Sequence, residues 1–177
     1  MSLAYVEHYT VDDYDLWQGD WELIDGMPYA MAPSPMVTHQ TVNGKIFIQL
    51  NDALDTCSEC QALFEIDWIV ANDTVVRPDT LVICYEADEK ITKKPEIIFE
   101  VASPSTVTKD EKVKFEIYQR EGVKYYILVY PDTPLAKVYE LRDGRYIKVD
   151  DFTDETTTFT LPTCEVTFDF STIWRKK

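Results

Sequence analysis

Two carboxylates stand inside apolar runs. Asp79 follows Arg77 and Pro78 between Val75-Val76 and Leu81-Val82-Ile83, and Glu100 sits between Ile97-Ile98-Phe99 and Val101-Ala102. Burying an unpaired carboxylate is costly even after the protein relaxes around it, so each needs a cation or strong donors nearby. If the two runs form a hairpin, the midpoint between 79 and 100 falls within the polar stretch 86–94. That register sets Asp79 and Glu100 opposite each other with their side chains on one face. Like charges so placed repel, and a shared divalent cation relieves the conflict. The competing reading satisfies both acids with Arg77 or backbone donors, as structural networks do. Lys114, four residues after Asp110, either pairs with that acid on a solvated helix face or leans over the strand ends toward Glu100. At about 100° per residue, Asp110, Lys114 and Tyr118 share a helix face while Lys112 points away from it.

The elements that must hold these residues are legible from pattern. Thr10 with Asp13 three residues on resembles a capping box, which predicts a short helix over 11–18. Asp25-Gly26 between Trp21-Glu22-Leu23-Ile24 and Met27-Pro28-Tyr29-Ala30-Met31 is a hairpin signal. Ser34 and Pro35 suit the cap and first position of a helix, and Val42, Ile46, Phe47, Leu50 and Leu54 carry its apolar stripe. Runs rich in Val, Ile, Phe and Trp at 63–71, 75–85 and 95–102 read as core strands, with Asn72-Asp73 turning between the first two. A helix then runs from Thr106 or Thr108 to a stop at Gly122, and Tyr125 to Tyr130 is a buried strand. Asp143-Gly144 and the later runs at 157–161 and 166–170 predict an antiparallel extension. The order indicates an α/β or α+β protein. With 177 residues and neither repeat nor linker, one domain over 1–177 is expected.

Thirty-two acidic against 17 basic side chains leave a net charge of −15. A surface so acidic resists phosphate, so any nucleic-acid groove requires a local basic patch, expected from Lys109, Lys112, Lys114, Arg120 and Lys124. Residues 1–10 show neither a basic start nor an apolar stretch, and no run is long enough to span a bilayer, so a cytoplasmic protein off the membrane is expected. Cys57-x-x-Cys60 resembles half of a zinc site. Cys84 and Cys164 are isolated in strand-like settings rather than forming the second close pair such sites use. The pair also follows a helix instead of opening one, which disfavours a redox dithiol. Reduced, structurally incidental thiols in a reducing compartment are therefore expected.

Taken in order, Trp21-Glu22-Leu23-Ile24-Asp25-Gly26, His39-Gln40, Arg77-Pro78-Asp79, Glu100 through Thr106, and Asp110, Lys114 and Tyr118 before Gly122-Val123 resemble the Uma2 family of endonucleases, within the PD-(D/E)xK nuclease superfamily. The resemblance runs from about Tyr9 to Pro131. It implies a restriction-endonuclease-like mixed sheet flanked by helices, with the N-terminal hairpin and C-terminal extension added. It implies Mg²⁺, with Mn²⁺ as a substitute, held by Asp79, Glu100 and the Val101 carbonyl. The usual Glu-x-Lys is broken at Ala102, and the family pattern transfers the lysine's role to Lys114. Glu22, His39 and Asp110 become further site candidates. The chain departs from the family at Tyr125-Tyr126-Ile127, where Glu-Tyr-Trp is common. The implied activity is hydrolysis of phosphodiester bonds in nucleic acid, DNA foremost, and paired cuts in a duplex would suit a two-fold homodimer. The rival implied by the charge is a catalytically silent binding or regulatory module on the same fold.

Overall fold

A computed structural model describes residues 6–31 and 35–174. Its elements, in chain order, are α1 (Val11–Tyr14), β1 (Trp21–Ile24), β2 (Met27–Ala30), α2 (Val37–Ala53), β3 (Gln61–Phe64), β4 (Trp68–Ala71), β5 (Thr74–Val76), β6 (Thr80–Ile83) and β7 (Ile97–Val101). A π-helical segment (Lys109–Lys114) then runs into α3 (Phe115–Glu121), followed by β8 (Tyr125–Tyr130), β9 (Leu135–Arg142), β10 (Arg145–Phe152), β11 (Thr156–Thr160) and β12 (Glu165–Asp169). This is the mixed α+β architecture expected from the element order.

Local chemistry explains most boundaries. Asp13 Oδ2 accepts both the backbone N–H and the hydroxyl of Thr10, but α1 ends at Tyr14, short of the predicted residue 18. Tyr14 turns its hydroxyl onto the Trp21 carbonyl and Asp67 instead. Asp25-Gly26 and Asp143-Gly144 take positive φ at both positions, the conformation a two-residue hairpin needs. The cap expected at Ser34 lies outside the described residues, and α2 begins at Val37 with Met36 in the cap position. Its stripe of Val42, Ile46, Leu50 and Leu54 is buried. Gly122 closes α3 at φ 82°, a left-handed cap that glycine adopts at little cost.

Two strands expected to be continuous are each divided. The run 63–71 separates into β3 and β4, and 75–85 into β5 and β6. β5 and β4 join β1 and β2 in a four-stranded sheet ordered β2-β1-β5-β4. β6 and β3 lie at one side of a six-stranded sheet ordered β10-β9-β8-β7-β6-β3. The switch falls at Arg77-Pro78-Asp79, where proline cannot donate to a ladder. Glu65 at φ 50° marks the corresponding bend after β3. β7 and β8 are parallel, joined by the π-helical segment and α3, and the other pairings of the large sheet are antiparallel.

The large sheet has two unlike faces. On one, Val82, Ile97, Phe99, Ile127 and Val129 pack against α2 and the β11–β12 hairpin. On the other, Leu81, Ile98, Tyr126 and Leu128 pack against Ile117 and Tyr118 of α3 and against Trp68. The thiol expectation is corrected here. Cys57 is joined to Cys164 across 107 residues and Cys60 to Cys84 across 24, so neither member of the Cys-x-x-Cys pairs with the other. Folding brings together cysteines whose separation in sequence hid them from one another. No helix among the described residues is long and apolar enough to cross a membrane.

Candidate active site

The β6–β7 register pairs Thr80 with Phe99 and Leu81 with Ile98. Continued by one residue, it sets Asp79 opposite Glu100, as the hairpin argument requires. The strand alternation carries both side chains to the α3 face. Asp79 lies at the mouth of β6 rather than inside it, with its Oδ2 accepting the Val101 N–H at 2.7 Å and lying 3.2 Å from His39 Nε2. Its backbone carbonyl is held by Asn43 Nδ2 and the Glu65 N–H, and Asn43 in turn accepts from the buried Thr80 hydroxyl at 2.6 Å. The start of α2 and the strand switch are thereby locked together.

Glu100 is 2% exposed, and its Oε1 accepts from Lys114 Nζ at 2.9 Å and from the Tyr118 hydroxyl at 2.7 Å. Lys114, itself 3% exposed, also reaches Glu22 Oε1 at 2.9 Å, the Arg77 carbonyl at 3.3 Å and Asp110 Oδ1 at 3.9 Å. Glu22 is fully buried; its Oε1 accepts the Arg77 N–H and its Oε2 pairs with Lys109. The small sheet therefore contributes Glu22, the switch contributes Asp79, the large sheet contributes Glu100, and the helix contributes Lys109, Asp110 and Lys114. Glu22, Glu100 and Asp110 meet at Lys114, while Asp79, held with His39 and the Val101 N–H, is coupled to them by charge. Lys112 is exposed. Of the five residues expected to form a basic patch, Lys109 and Lys114 are consumed by site carboxylates, Arg120 pairs with Glu121 and Lys124 Nζ donates to the Thr160 carbonyl. The sites of those charges do not form one cationic groove.

Two participants escaped the sequence reading. Tyr118 has only a place on the helix face of Lys114 in the sequence reading, and in the structure its hydroxyl donates to Glu100. Lys109 was assigned only to a surface patch. In an α-helix, residues five apart diverge. The π segment bonds i to i+5 and so brings Lys109 and Lys114 together over Glu22. Such segments occur often at functional sites, but no pattern in the residues 109–114 announces one.

The charges are out of balance. Glu22, Asp79, Glu100 and Asp110 present four carboxylates to the ammoniums of Lys109 and Lys114. Burial drives Glu22 upward, yet Lys114 and Lys109 outweigh it and bring its pKa down to about 2. Burial raises Glu100 well above the carboxylate range against the pull of Lys114, and Asp79, Asp110 and Glu22 add to the rise. Asp110 is raised chiefly by burial, against Lys114. Burial opposes the Lys114 cation, but the carboxylates of Glu100, Glu22, Asp110 and Asp79 hold it firmly protonated. Burial likewise opposes the His39 cation, and the hydrogen bond to Asp79 lifts its pKa overall. His39 Nδ1 is buried with no partner among the described residues.

The donor set suits a hard cation. No three carboxylate or imidazole ligand atoms of this site converge within 4.8 Å among the described residues. Carboxylate donors of this kind fit Mg²⁺, which binds through one or two protein carboxylates and fills its shell with water and substrate phosphate.

Comparisons with known proteins bear on the fold and the family. A crystal structure of a "putative nuclease belonging to DUF820" from Anabaena variabilis ATCC 29413 superposes with a TM-score of 0.76 at 16% identity, covering 93% of this chain and 97% of that one. The shared feature is the fold. No curated protein matches the chain. The model of the Uma2 family, described as "Putative restriction endonuclease", matches residues 11–170, from α1 through the final hairpin and across every residue of the site, and the chain belongs to that family.

Proposed function

We propose that this protein hydrolyses phosphodiester bonds of DNA at the Asp79–Glu100–Lys114 cluster with the help of Mg²⁺. The observation that carries the reading is the buried excess of acidic groups over ammonium where the two sheets meet, Glu22, Glu100 and Asp110 around Lys114, with Asp79 held beside them by the Val101 N–H. Asp79, Glu100 and the Val101 carbonyl would hold one Mg²⁺, with Mn²⁺ able to substitute. When bound, the ion supplies a Lewis acid that neutralises charge on the scissile phosphate and makes water a better nucleophile at neutral pH.

The chain's own residues do the positioning. The Val101 N–H and His39 fix the orientation of Asp79, so that this ligand is preorganised rather than recruited. Lys114 stands between Glu100 and Glu22. Its ammonium is the donor that orients the attacking water or takes up charge on the pentacovalent phosphate. Glu22 and Lys109 act through Lys114 by holding its head group in place. Asp110 adds a further carboxylate to that set and keeps the lysine charged. DNA as the substrate goes with a cytoplasmic setting, and duplex cutting with a homodimer.

The test incubates purified protein with Mg²⁺ or Mn²⁺ and supercoiled, linear, single-stranded DNA and RNA. Cleavage of DNA that Asp79→Ala and Lys114→Ala both abolish is the expected result; intact nucleic acid of every form would overturn the reading. The net charge of −15 and the neutralisation of Lys109 and Lys114 favour a second reading, a binding module that does not turn over. Stoichiometric Mg²⁺ or Mn²⁺ uptake without cleavage of any form would decide for it.

A further inference from the structure

The second concentration of ligand atoms in the molecule lies on the opposite face of the large sheet. His39 near the start of α2 belongs to the carboxylate site, whereas Leu54 at its end leads into the Cys57–Cys60 turn, roughly 20 Å further along at 1.5 Å per residue. The Cys60 N–H donates to the Cys57 carbonyl at 3.0 Å, closing a tight turn that carries both sulfurs. Cys84 arrives just beyond β6, and Cys164 from the turn between β11 and β12, where the Leu161 N–H donates to the Cys164 carbonyl at 2.8 Å. Four cysteines from three distant segments thus meet in one place.

The sulfurs of Cys57, Cys60 and Cys164 all lie within 4.8 Å of one another, and that of Cys84 is bonded to Cys60. In a tetrahedral zinc site with Zn–S bonds of about 2.3 Å, the sulfurs are about 3.8 Å apart. Cys84 Sγ stands outside that group of three, so reaching the spacing requires both disulfides to open and Cys84 to turn toward the other sulfurs. Cys57 and Cys60 are buried, while Cys84 and Cys164 are partly open, so the sulfurs have an entry path. Leu54, Ala62 and Leu161 belong to the same apolar cluster, and the Thr163 hydroxyl lies 3.9 Å from Cys57 Sγ, where it could donate to a thiolate. Four free thiols in such a setting would be poorly satisfied. Two disulfides resolve them in one redox state, and a soft divalent cation resolves them in the other.

We propose that the reduced cluster is a four-thiolate site for one Zn²⁺ ion, with Cys57, Cys60, Cys84 and Cys164 as ligands, and that the two disulfides are its oxidised, metal-free form. The interconversion balances with a dithiol as reductant. Two dithiols each give two electrons and two protons to one disulfide and leave as two cyclic disulfides. The four thiols formed lose four protons as they bind Zn²⁺, so one ion enters and four protons are released. The site pins the end of α2 and the β11–β12 hairpin to the end of β6. It does not rest on the nuclease reading.

The experiment reduces the full chain anaerobically with a phosphine, which does not compete as a thiol would, and titrates it with Zn²⁺ and, separately, Co²⁺. One Zn²⁺ per chain, about four protons released per ion near neutral pH, and the intense charge-transfer and visible bands of tetrahedral cobalt thiolate are expected. Cys84→Ser and Cys164→Ser should each weaken Zn²⁺ by at least the 10–100-fold or so typical of losing an outer partner, and Thr163→Val by no more than that. Should the reduced chain unfold, refolding on addition of Zn²⁺ supports the site and failure to refold overturns it. Reduced, folded protein that takes up less than about a fifth of an equivalent, an octahedral cobalt spectrum, or uptake indifferent to Cys84→Ser and Cys164→Ser would each overturn it.

Discussion

The two faces of the large sheet are built on opposite principles. Against α2 and the β11–β12 hairpin, Phe99, Phe159, Phe168 and Phe170 pack ring to ring, and the cysteine pairs clamp the rim. Against α3, the core holds apolar residues together with Glu22, Glu100, Asp110 and Lys114, all nearly inaccessible. The first face gains stability from area removed from water, which is non-directional and tolerant. On the second, each charge is tolerable only because another is present, so removing one partner harms the rest. The fold thus separates the part that holds it together from the part that can do chemistry.

The sharpest test of that contrast is Lys114. Lys114→Met should lose about 3–5 kcal/mol of unfolding free energy, since three buried carboxylates are left without their shared cation. Adding Glu22→Gln and Glu100→Gln to the same chain should recover much of it, because charges removed together need no partner. On the other face, Phe168→Ala should lose a similar 3–5 kcal/mol or so, and no second replacement of a neighbour's charge can restore it. Urea unfolding of the four chains makes the comparison. A triple variant that regains none of the Lys114→Met loss would show that the network is not coupled.

A comparable effect should follow pH. Glu22 ionises at about 2 in the folded protein and near 4.5 otherwise, so as pH falls the unfolded chain takes up this proton first. Its contribution is complete above about 4.5 and is lost as pH falls toward 2, an effect of roughly 3 kcal/mol at about 1.4 kcal/mol per pH unit. Glu100 and Asp110 have raised values and act with the opposite sign: their contribution is complete below the unfolded value and is lost as pH rises through the folded one. Glu22→Gln should therefore flatten the acid limb of the stability curve while leaving the loss with rising pH that comes from Glu100 and Asp110. An unchanged acid limb would mean that Glu22 is not the group protected by Lys114 and Lys109.

Mg²⁺ and Mn²⁺ should act on the α3 face alone. At 100 times its dissociation constant, Mg²⁺ or Mn²⁺ should stabilise the fold by about 2.7 kcal/mol, and Asp79→Asn should abolish that gain. Measured by thermal shift with and without the ion, an equal response in the variant would remove Asp79 from the ligand set.

What the sequence disclosed depended on the range of the interaction. The β6–β7 register was legible because the polar stretch 86–94 is centred between two apolar runs that follow one another in the chain, and the apolar stripe of α2 was legible because its period is set within one helix. Two features were misread. Arg77-Pro78-Asp79 looked like a polar break inside one strand, whereas the Glu22 carboxylate accepts the Arg77 N–H and the proline breaks the ladder, so the chain changes sheets. The cysteines failed for a similar reason: a Cys-x-x-Cys shows half a cluster, and its other half comes from 24 and 107 residues away. Position along the chain carries no trace of either meeting.

The smallest effect expected separates three lysines on one helix. Lys109, Lys112 and Lys114 lie within six residues, and an α-helix would give Lys109 and Lys114 different faces. The π turn brings both onto Glu22, whose two oxygens they divide, Oε2 to Lys109 and Oε1 to Lys114. Lys109 reaches that buried carboxylate from a partly open position, so solvent screens it and other donors remain at Glu22. Its loss should therefore cost less than that of Lys114. Lys109→Ala should destabilise by about 1.5 kcal/mol, the scale of a hydrogen bond to a charged group. Lys112 is exposed and Lys112→Ala should stay within about 0.5 kcal/mol of the parent. If the helix were regular in solution, Lys109 would leave Glu22 and the two variants would behave alike. Unfolding curves for the pair, read beside the cleavage assay, thus test the π turn itself: a Lys109→Ala loss no larger than that of Lys112→Ala would mean that Lys114 holds Glu22 alone.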